Sequence, residues 1–155
     1  MKEIRTMKSI FDQETYNELN ERLDKLTPET LAKWGIMNVS QMLHHAQKAL
    51  EIPLGKSNMK PPNPIMKLMF RTFKGSLYSD KLWKPGLPTV KEFVVSDKKM
   101  FEPEMKQLRA LIEEFHSKKD EPSLPKHPAF GKLSMNQWGK MQYKHLDHHL
   151  RQFGV

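Results

Sequence analysis

Residues 134–154 read SMNQWGKMQYKHLDHHLRQFG, and this stretch decides the fold. Apolar residues recur in it at helical spacing, at Trp138, Met141, Leu146 and Leu150, which predicts an amphipathic helix. The opening letters Ser-Met-Asn-Gln fit a capping box that starts a helix at Ser134. Gly154 follows Phe153 and supplies a helix stop. The chain therefore ends in a long helix with one apolar face.

Working back from this helix, the same periodicity predicts three more helices. They lie at about 12–26, 38–51 and within 96–116, and proline-rich joints separate them. A long irregular crossover, 53–95, connects the second and third helices and holds at most one short helix at 65–73. No strand is convincing. The pattern predicts an all-α protein, a four-helix bundle that forms a single domain over residues 1–155.

The composition is that of a soluble protein of one domain. The chain has 155 residues, with 37% hydrophobic residues and a mean hydropathy of -0.70. No apolar run approaches the roughly 18 residues of a membrane span, and the N-terminus has no apolar signal region. There are no cysteines, which excludes disulfides and thiolate metal sites. We expect a cytoplasmic protein of bacterial type.

The net charge of +8 raises the question of a polyanionic partner. Much of the excess lies between Lys56 and Lys91, where it is interleaved with Phe70, Phe73 and Trp83. Nucleic-acid sites combine basic and stacking residues in this way, but a solvated crossover with core aromatics is the simpler interpretation. For residues 65–74, a basic amphipathic helix for a membrane or partner is one interpretation. We favour a short cover packed over the bundle, with neither membrane nor nucleic acid as partner.

The histidines are clustered. Of 7 histidines, two are adjacent in the second helix and three lie within His-Leu-Asp-His-His of the last: His44, His45, His145, His148 and His149. The remaining two, His116 and His127, are isolated and predicted to lie on the surface.

Helical geometry sorts the clustered histidines by face. At about 100° per residue, His145 and His149 fall inside the apolar arc of the last helix, one turn apart, and His148 falls at its margin. Lys144, Asp147 and Arg151 fall on the opposite face, where Asp147 and Arg151 suit a solvent-exposed ion pair. His45 lies at the edge of the apolar stripe of the second helix.

On that second helix, His44 aligns with the polar residues Gln41, Lys48 and Glu51 and is expected to face solvent. One histidine of the second helix and two of the last therefore point inward.

Three inward imidazoles from two helices are suited to a divalent metal ion. Two at i and i+4 leave the same side of a helix, and a third from a facing helix completes three ligands. One coordination position then stays open for water or substrate. Nitrogen ligands suit zinc, nickel, iron or copper without choosing among them. The competing interpretation is three buried histidines, each with its own hydrogen-bond partner.

Several reaction classes lack support. Metalloproteases with H-E-x-x-H carry a glutamate just after the first histidine, and here that position is Leu146. The nearby Asp147 is expected to face away. No nucleophile elbow, phosphate loop or dinucleotide fingerprint is present.

The strings HPAFGKLSMNQWGKMQYKHLDHHLRQF (127–153) and WGIMNVSQMLHHAQ (34–47) resemble the DinB-like superfamily of four-helix bundles, and more closely a branch described as a domain of unknown function. The resemblance covers nearly the whole chain. It implies that His45, His145 and His149 bind a divalent metal, with nickel or zinc first and iron allowed. It also implies assembly as a homodimer.

The resemblance says less about chemistry. Some relatives are metal-dependent transferases that add a low-molecular-weight thiol, such as bacillithiol or mycothiol, to an electrophile, and others resemble hydrolases or isomerases. We therefore expect a metal-dependent enzyme acting on a small molecule, with His148 and Tyr143 as candidates beside the ligands. Trp34 fits either the core or substrate stacking. The alternative is a non-enzymatic binding or stress-response module whose metal is structural.

Overall fold

The computed structural model describes residues 6–155, and within them the chain is all-helical, with no strand. It contains five α-helices: α1 (Gln13–Leu23), α2 (Val39–Glu51), α3 (Pro64–Phe73), α4 (Phe101–Ser117) and α5 (Met135–Gln152). Short 3₁₀ turns occupy Lys74–Leu77, Lys91–Phe93 and Lys118–Asp120. The all-α prediction is confirmed, with five helices rather than four. Residues 1–5, which the predicted domain includes, lie outside the described residues.

Two helices begin at side-chain caps, and the cap at Ser134 is as predicted. Asn38 caps α2 in a capping box with Gln41, and Ser134 caps α5 in a capping box with Gln137. Each box satisfies two backbone N–H groups that the helix cannot pair itself. Asp12 precedes α1 without a side-chain capping bond. Pro103 lies in the first turn of α4, where its missing N–H costs nothing.

The core lies between four of the helices. α2 packs against α4 and α5, and α1 packs against the same two helices. Buried apolar side chains from all four meet there, among them Leu19, Leu43, Leu108 and Trp138. This packing sets the inward faces of α2 and α5 against each other. None of the helices in 6–155 is both long and apolar enough to cross a membrane.

The prediction that residues 65–74 form a cover packed over the bundle is wrong for most of that segment. Ile65 and Leu68 are 80% and 66% exposed, and α3 has no buried residue. The helix contacts the body through Phe70, whose ring meets Phe130 at 5.6 Å between centroids. Met69 and Phe73 are exposed as well, so most of the apolar surface of α3 is not covered by the described residues.

Two residues assigned to the solvent face of α5 are buried instead. Asp147 is 2% exposed and pairs with Arg22 of α1 at 2.9 Å as well as with Arg151. Lys144 is 1% exposed, and its ammonium donates to the Ser76 carbonyl at 2.6 Å. The face prediction was wrong because α1 and the crossover cover a side of α5 that an isolated helix would present to water.

His127 was also predicted on the surface and is buried. Its Nδ1 accepts the backbone N–H groups of Ala129 at 3.1 Å and Phe130 at 3.3 Å. The ring packs on Trp138 of the core. Its position in a loop gave no periodicity from which this burial could be predicted. His116 is half-buried: its Nδ1 donates to the Ile10 carbonyl oxygen at 2.8 Å, and its ring stacks on Tyr16.

Candidate metal centre

The facing sides of α2 and α5 bring three imidazoles together. His45 comes from α2, and His145 and His149 come from successive turns of α5. One nitrogen from each ring lies within 4.8 Å of the others. The Nε2 atoms of His45 and His145 are 3.3 Å apart. We refer to these three side chains as the histidine cluster.

Hydrogen bonds outside the cluster fix which ring nitrogens face it. His45 Nδ1 lies 2.8 Å from the Phe93 carbonyl oxygen, an acceptor only, so Nδ1 carries the proton. His149 Nδ1 lies 2.8 Å from Gln152 Oε1. The Gln152 amide is itself oriented, because its Nε2 donates to the Trp34 carbonyl at 2.8 Å. In both neutral rings Nε2 therefore carries no proton and presents a lone pair.

Burial keeps the three rings neutral. Desolvation lowers the pKa of His45, and the neighbouring charge of His44 lowers it further against the raising effect of the Phe93 hydrogen bond. Desolvation lowers the pKa of His145 well below its ordinary value, and lowers that of His149 to about 3. Each ring would also repel a second protonated ring beside it. Near neutral pH no proton competes for the inward lone pairs.

The spacing of the two nearest ring nitrogens matches that of two ligands of one cation, and it also lies within the range of a long hydrogen bond. At zinc–nitrogen distances of about 2.0–2.1 Å, two ligands of a tetrahedral ion lie about 3.3–3.4 Å apart. The two Nε2 atoms are separated by 3.3 Å. An N–H donor normally approaches its acceptor to about 2.9–3.0 Å. The other ring nitrogen of His145, Nδ1, is buried with no hydrogen-bond partner among the described residues. A buried group of three histidines with this geometry could hold a metal ion.

His44 lies outside the cluster. Its Nδ1 is 2.9 Å from Glu104 of α4, so it is half-buried against that helix rather than facing solvent as predicted. Glu104 also accepts from Gln47 at 2.7 Å. Adjacent histidines on α2 thus point to different neighbours, and His45 is the one that faces α5.

His148 and Tyr143, the two residues predicted to lie beside the three histidines, lie on different sides of α5. His148 is buried between the rings of Trp34 and Trp83, each with its centroid 5.8 Å from the imidazole, and its Nδ1 has no partner. Tyr143 is directed toward α1, where its hydroxyl donates to Glu18 at 3.3 Å. His148 therefore borders the histidine cluster, whereas Tyr143 lies on the side of α5 that faces α1.

A cavity of about 100 Å³ lies beside the cluster. His145 forms part of its wall, together with Gln142 and side chains that are mostly apolar. Trp83 and Phe93 of the crossover line one side. Lys144 holds this part of the crossover in place, since its ammonium donates to carbonyl oxygens of Ser76 and Ser79 and lies 5.4 Å from the Trp83 ring centroid.

Sequence analysis missed the groups that orient the cluster. Gln152 stands one turn after His149 on the same helix, so its spacing could have identified it. The Phe93 carbonyl and the Trp83 ring come from the irregular crossover, where no periodic pattern places a residue against α5.

Fold and site together define a helical protein with a buried three-histidine cluster. A family model matches residues 7–154, and its description is a protein of unknown function, DUF1569. The chain therefore belongs to the DUF1569 family. No curated protein and no solved structure matches the chain.

Proposed function

We propose that His45, His145 and His149 bind one divalent metal ion, with zinc or nickel first and iron allowed, and that the protein is a metal-dependent enzyme acting on a small molecule. One observation carries this proposal: two Nε2 lone pairs, held by the Phe93 carbonyl and the Gln152 amide, face the third imidazole in a buried space. Second hydrogen bonds of this kind are typical of metal-binding histidines.

The chemistry proposed is transfer to or hydrolysis of an electrophile. A bound divalent ion lowers the pKa of a water or a thiol at an open position. The residues of the chain supply the rest: the histidine cluster holds the ion, Trp83 and Phe93 offer aromatic surface, and the cavity beside His145 receives part of the substrate. A low-molecular-weight thiol is the proposed co-substrate for the transfer reaction, in keeping with the DinB-like resemblance.

The architecture supports the same superfamily proposal. α1, α2, α4 and α5 share one core and contact one another as the helices of a bundle do. We propose that they form a DinB-like four-helix bundle, with α3 an added helix in the crossover. Assembly as a homodimer and a cytoplasmic location stay predictions.

The first test is metal content and affinity of the full chain, measured by elemental analysis and by titration with zinc and nickel. We expect about one ion per chain, an increase in melting temperature on adding metal, and loss of both in His45→Ala. His44→Ala is the matched control, because it alters the adjacent histidine of α2 and leaves the cluster intact. A wild-type protein that takes up neither ion would refute the proposal.

The second test separates an enzyme from a binding module. The metal-loaded protein is assayed for thiol conjugation to electrophiles and for ester and amide hydrolysis, beside the metal-loaded His44→Ala variant and the metal-free His45→Ala variant. Turnover in the first two and none in the third supports the enzyme. If the metal binds and stabilises the fold but no reaction is accelerated, the metal is structural. The interpretation as a non-enzymatic binding module then replaces the enzyme proposal.

A further inference from the structure

The cavity beside His145 has walls that select for an apolar occupant. Ala49 and Ile52 of α2, Met141 of α5, and Trp83 and Phe93 of the crossover all line it. None of its ten lining residues is Asp, Glu, Lys or Arg. A charged ligand entering it would lose hydration without gaining an ionic partner, which is strongly unfavourable.

Size narrows the occupant further. The cavity measures about 100 Å³, and an apolar cavity of about 150 Å³ in another protein stays dry and binds benzene. The space here therefore suits a group of about the size of a single ring or a short branched chain.

One polar atom in the wall lacks a partner. Gln142 is 1% exposed, and its Nε2 donates to the Ala49 carbonyl oxygen at 3.0 Å. This bond fixes the amide orientation, because a flipped amide would set two oxygens against each other. The other atom, Oε1, is buried with no hydrogen-bond partner among the described residues. A buried acceptor left in this state is costly, and the residue that carries it lines the cavity.

We propose that this cavity binds a small, uncharged, mainly apolar group that carries one hydrogen-bond donor, a hydroxyl or an N–H, which donates to Gln142 Oε1. The group then lies against the His145 ring. Its role as the apolar part of a substrate rests on the proposed function, but its binding does not require the metal.

Phenol, benzene and benzoate are the probes, because they share a ring and differ in donor and charge. Binding to the full chain is measured by titration and by nuclear Overhauser effects between ring protons and the Met141 methyl group. We expect phenol to bind about tenfold more tightly than benzene, and benzoate not to bind. Equal affinity for phenol and benzene, or binding of benzoate as tight as that of phenol, overturns the proposal.

Two variants locate the contacts. Ala49→Leu fills the cavity from α2 and should abolish phenol binding. Gln142→Met removes the acceptor at nearly constant volume and should remove the preference for phenol over benzene. His44→Ala, outside the cavity, should bind phenol as the wild type does. Phenol binding that survives Ala49→Leu contradicts the location, and the wild-type probe series decides the proposal even if a variant does not fold.

Each titration is run with chelator and with zinc. Phenol binding in a protein that takes up no metal upholds the cavity and removes the proposed metal function. Metal uptake without phenol binding removes the cavity proposal and leaves the metal function in place.

Discussion

The amide of Gln152 gives the sharpest test of how the histidine cluster is oriented. Gln152 is 4% exposed, its Oε1 accepts from His149 Nδ1 at 2.8 Å, and its Nε2 donates to the Trp34 carbonyl. Gln152→Met keeps the length of the side chain and removes both bonds. The Nδ1–H of His149 then lies buried without an acceptor, and nothing specifies which ring nitrogen is protonated.

Two free energies change in this variant, and they can be separated. An unsatisfied buried donor costs about 1–3 kcal/mol of folding stability whether or not metal is bound. The loss of ring orientation acts on the metal affinity, where such outer hydrogen bonds contribute about 10–100-fold, or about 1.4–2.7 kcal/mol. We therefore expect a weaker fold and a dissociation constant for zinc raised at least tenfold.

The assay is competition with a chromogenic chelator, combined with urea unfolding of the metal-free protein. Gln137→Met is the matched control: it makes the same substitution on the same helix and removes a capping bond near Ser134, far from the cluster. Its zinc affinity should equal that of the wild type. If Gln152→Met binds zinc within twofold of the wild type, or Gln137→Met weakens binding equally, the orienting role is refuted.

Three further substitutions test the packing around the site, each by urea unfolding. Burial lowers the pKa of His127 from 6.5 to about 4, so as the pH falls below 6.5 the unfolded chain takes up a proton before the folded one, and stability is lost toward pH 4. His127→Asn keeps an acceptor for the turn. Between pH 7 and 5 its free energy of unfolding should fall by about 2 kcal/mol less than that of the wild type; an equal fall in both proteins would contradict this. Asp147→Ala removes the buried carboxylate that pairs with Arg22 and Arg151, and should cost about 3 kcal/mol; a loss below about 1 kcal/mol would show that the pair is not needed. Gly139→Ala gains up to about 1 kcal/mol of helix propensity, but its Cβ would lie 2.1 Å from Ser9 Oγ. We therefore expect net destabilisation of about 1–3 kcal/mol. A more stable variant would show that residues 7–11 move aside at little cost.

Helical phase was sufficient to predict which three histidines lie together, but not what surrounds them. A 100° rotation per residue puts His145 and His149 on one face and separates His45 from His44, and the structure brings these three rings together. The same argument failed for Asp147 and Lys144, because it compares positions on one helix and assumes that the face opposite the core meets water. Here α1 and the crossover occupy that space.

The crossover was the least predictable part because its contacts are tertiary. Its prolines and charges give no period, so neither the Phe93 carbonyl bond to His45 nor the Trp83 packing on His145 could be derived. α3 shows the converse failure. Its amphipathic sequence predicted a covering helix, and Ile65 and Leu68 are instead exposed. The cover over the cluster comes from residues after α3, where no helical pattern exists.

The hydrogen bonds around the cluster have a consequence for the metal-free protein. Each of Phe93 and Gln152 satisfies one nitrogen of its histidine, and in doing so each directs an unprotonated nitrogen into the same buried space. A neutral His145 ring has a single N–H, and its Nε2 lies 3.3 Å from His45 Nε2, so it can donate to at most one of these two lone pairs. Hydrogen bonding alone would arrange three buried histidines as donors and acceptors to one another. A cation would satisfy both lone pairs at once, and this is why the orienting bonds argue for a metal more strongly than the proximity of the rings.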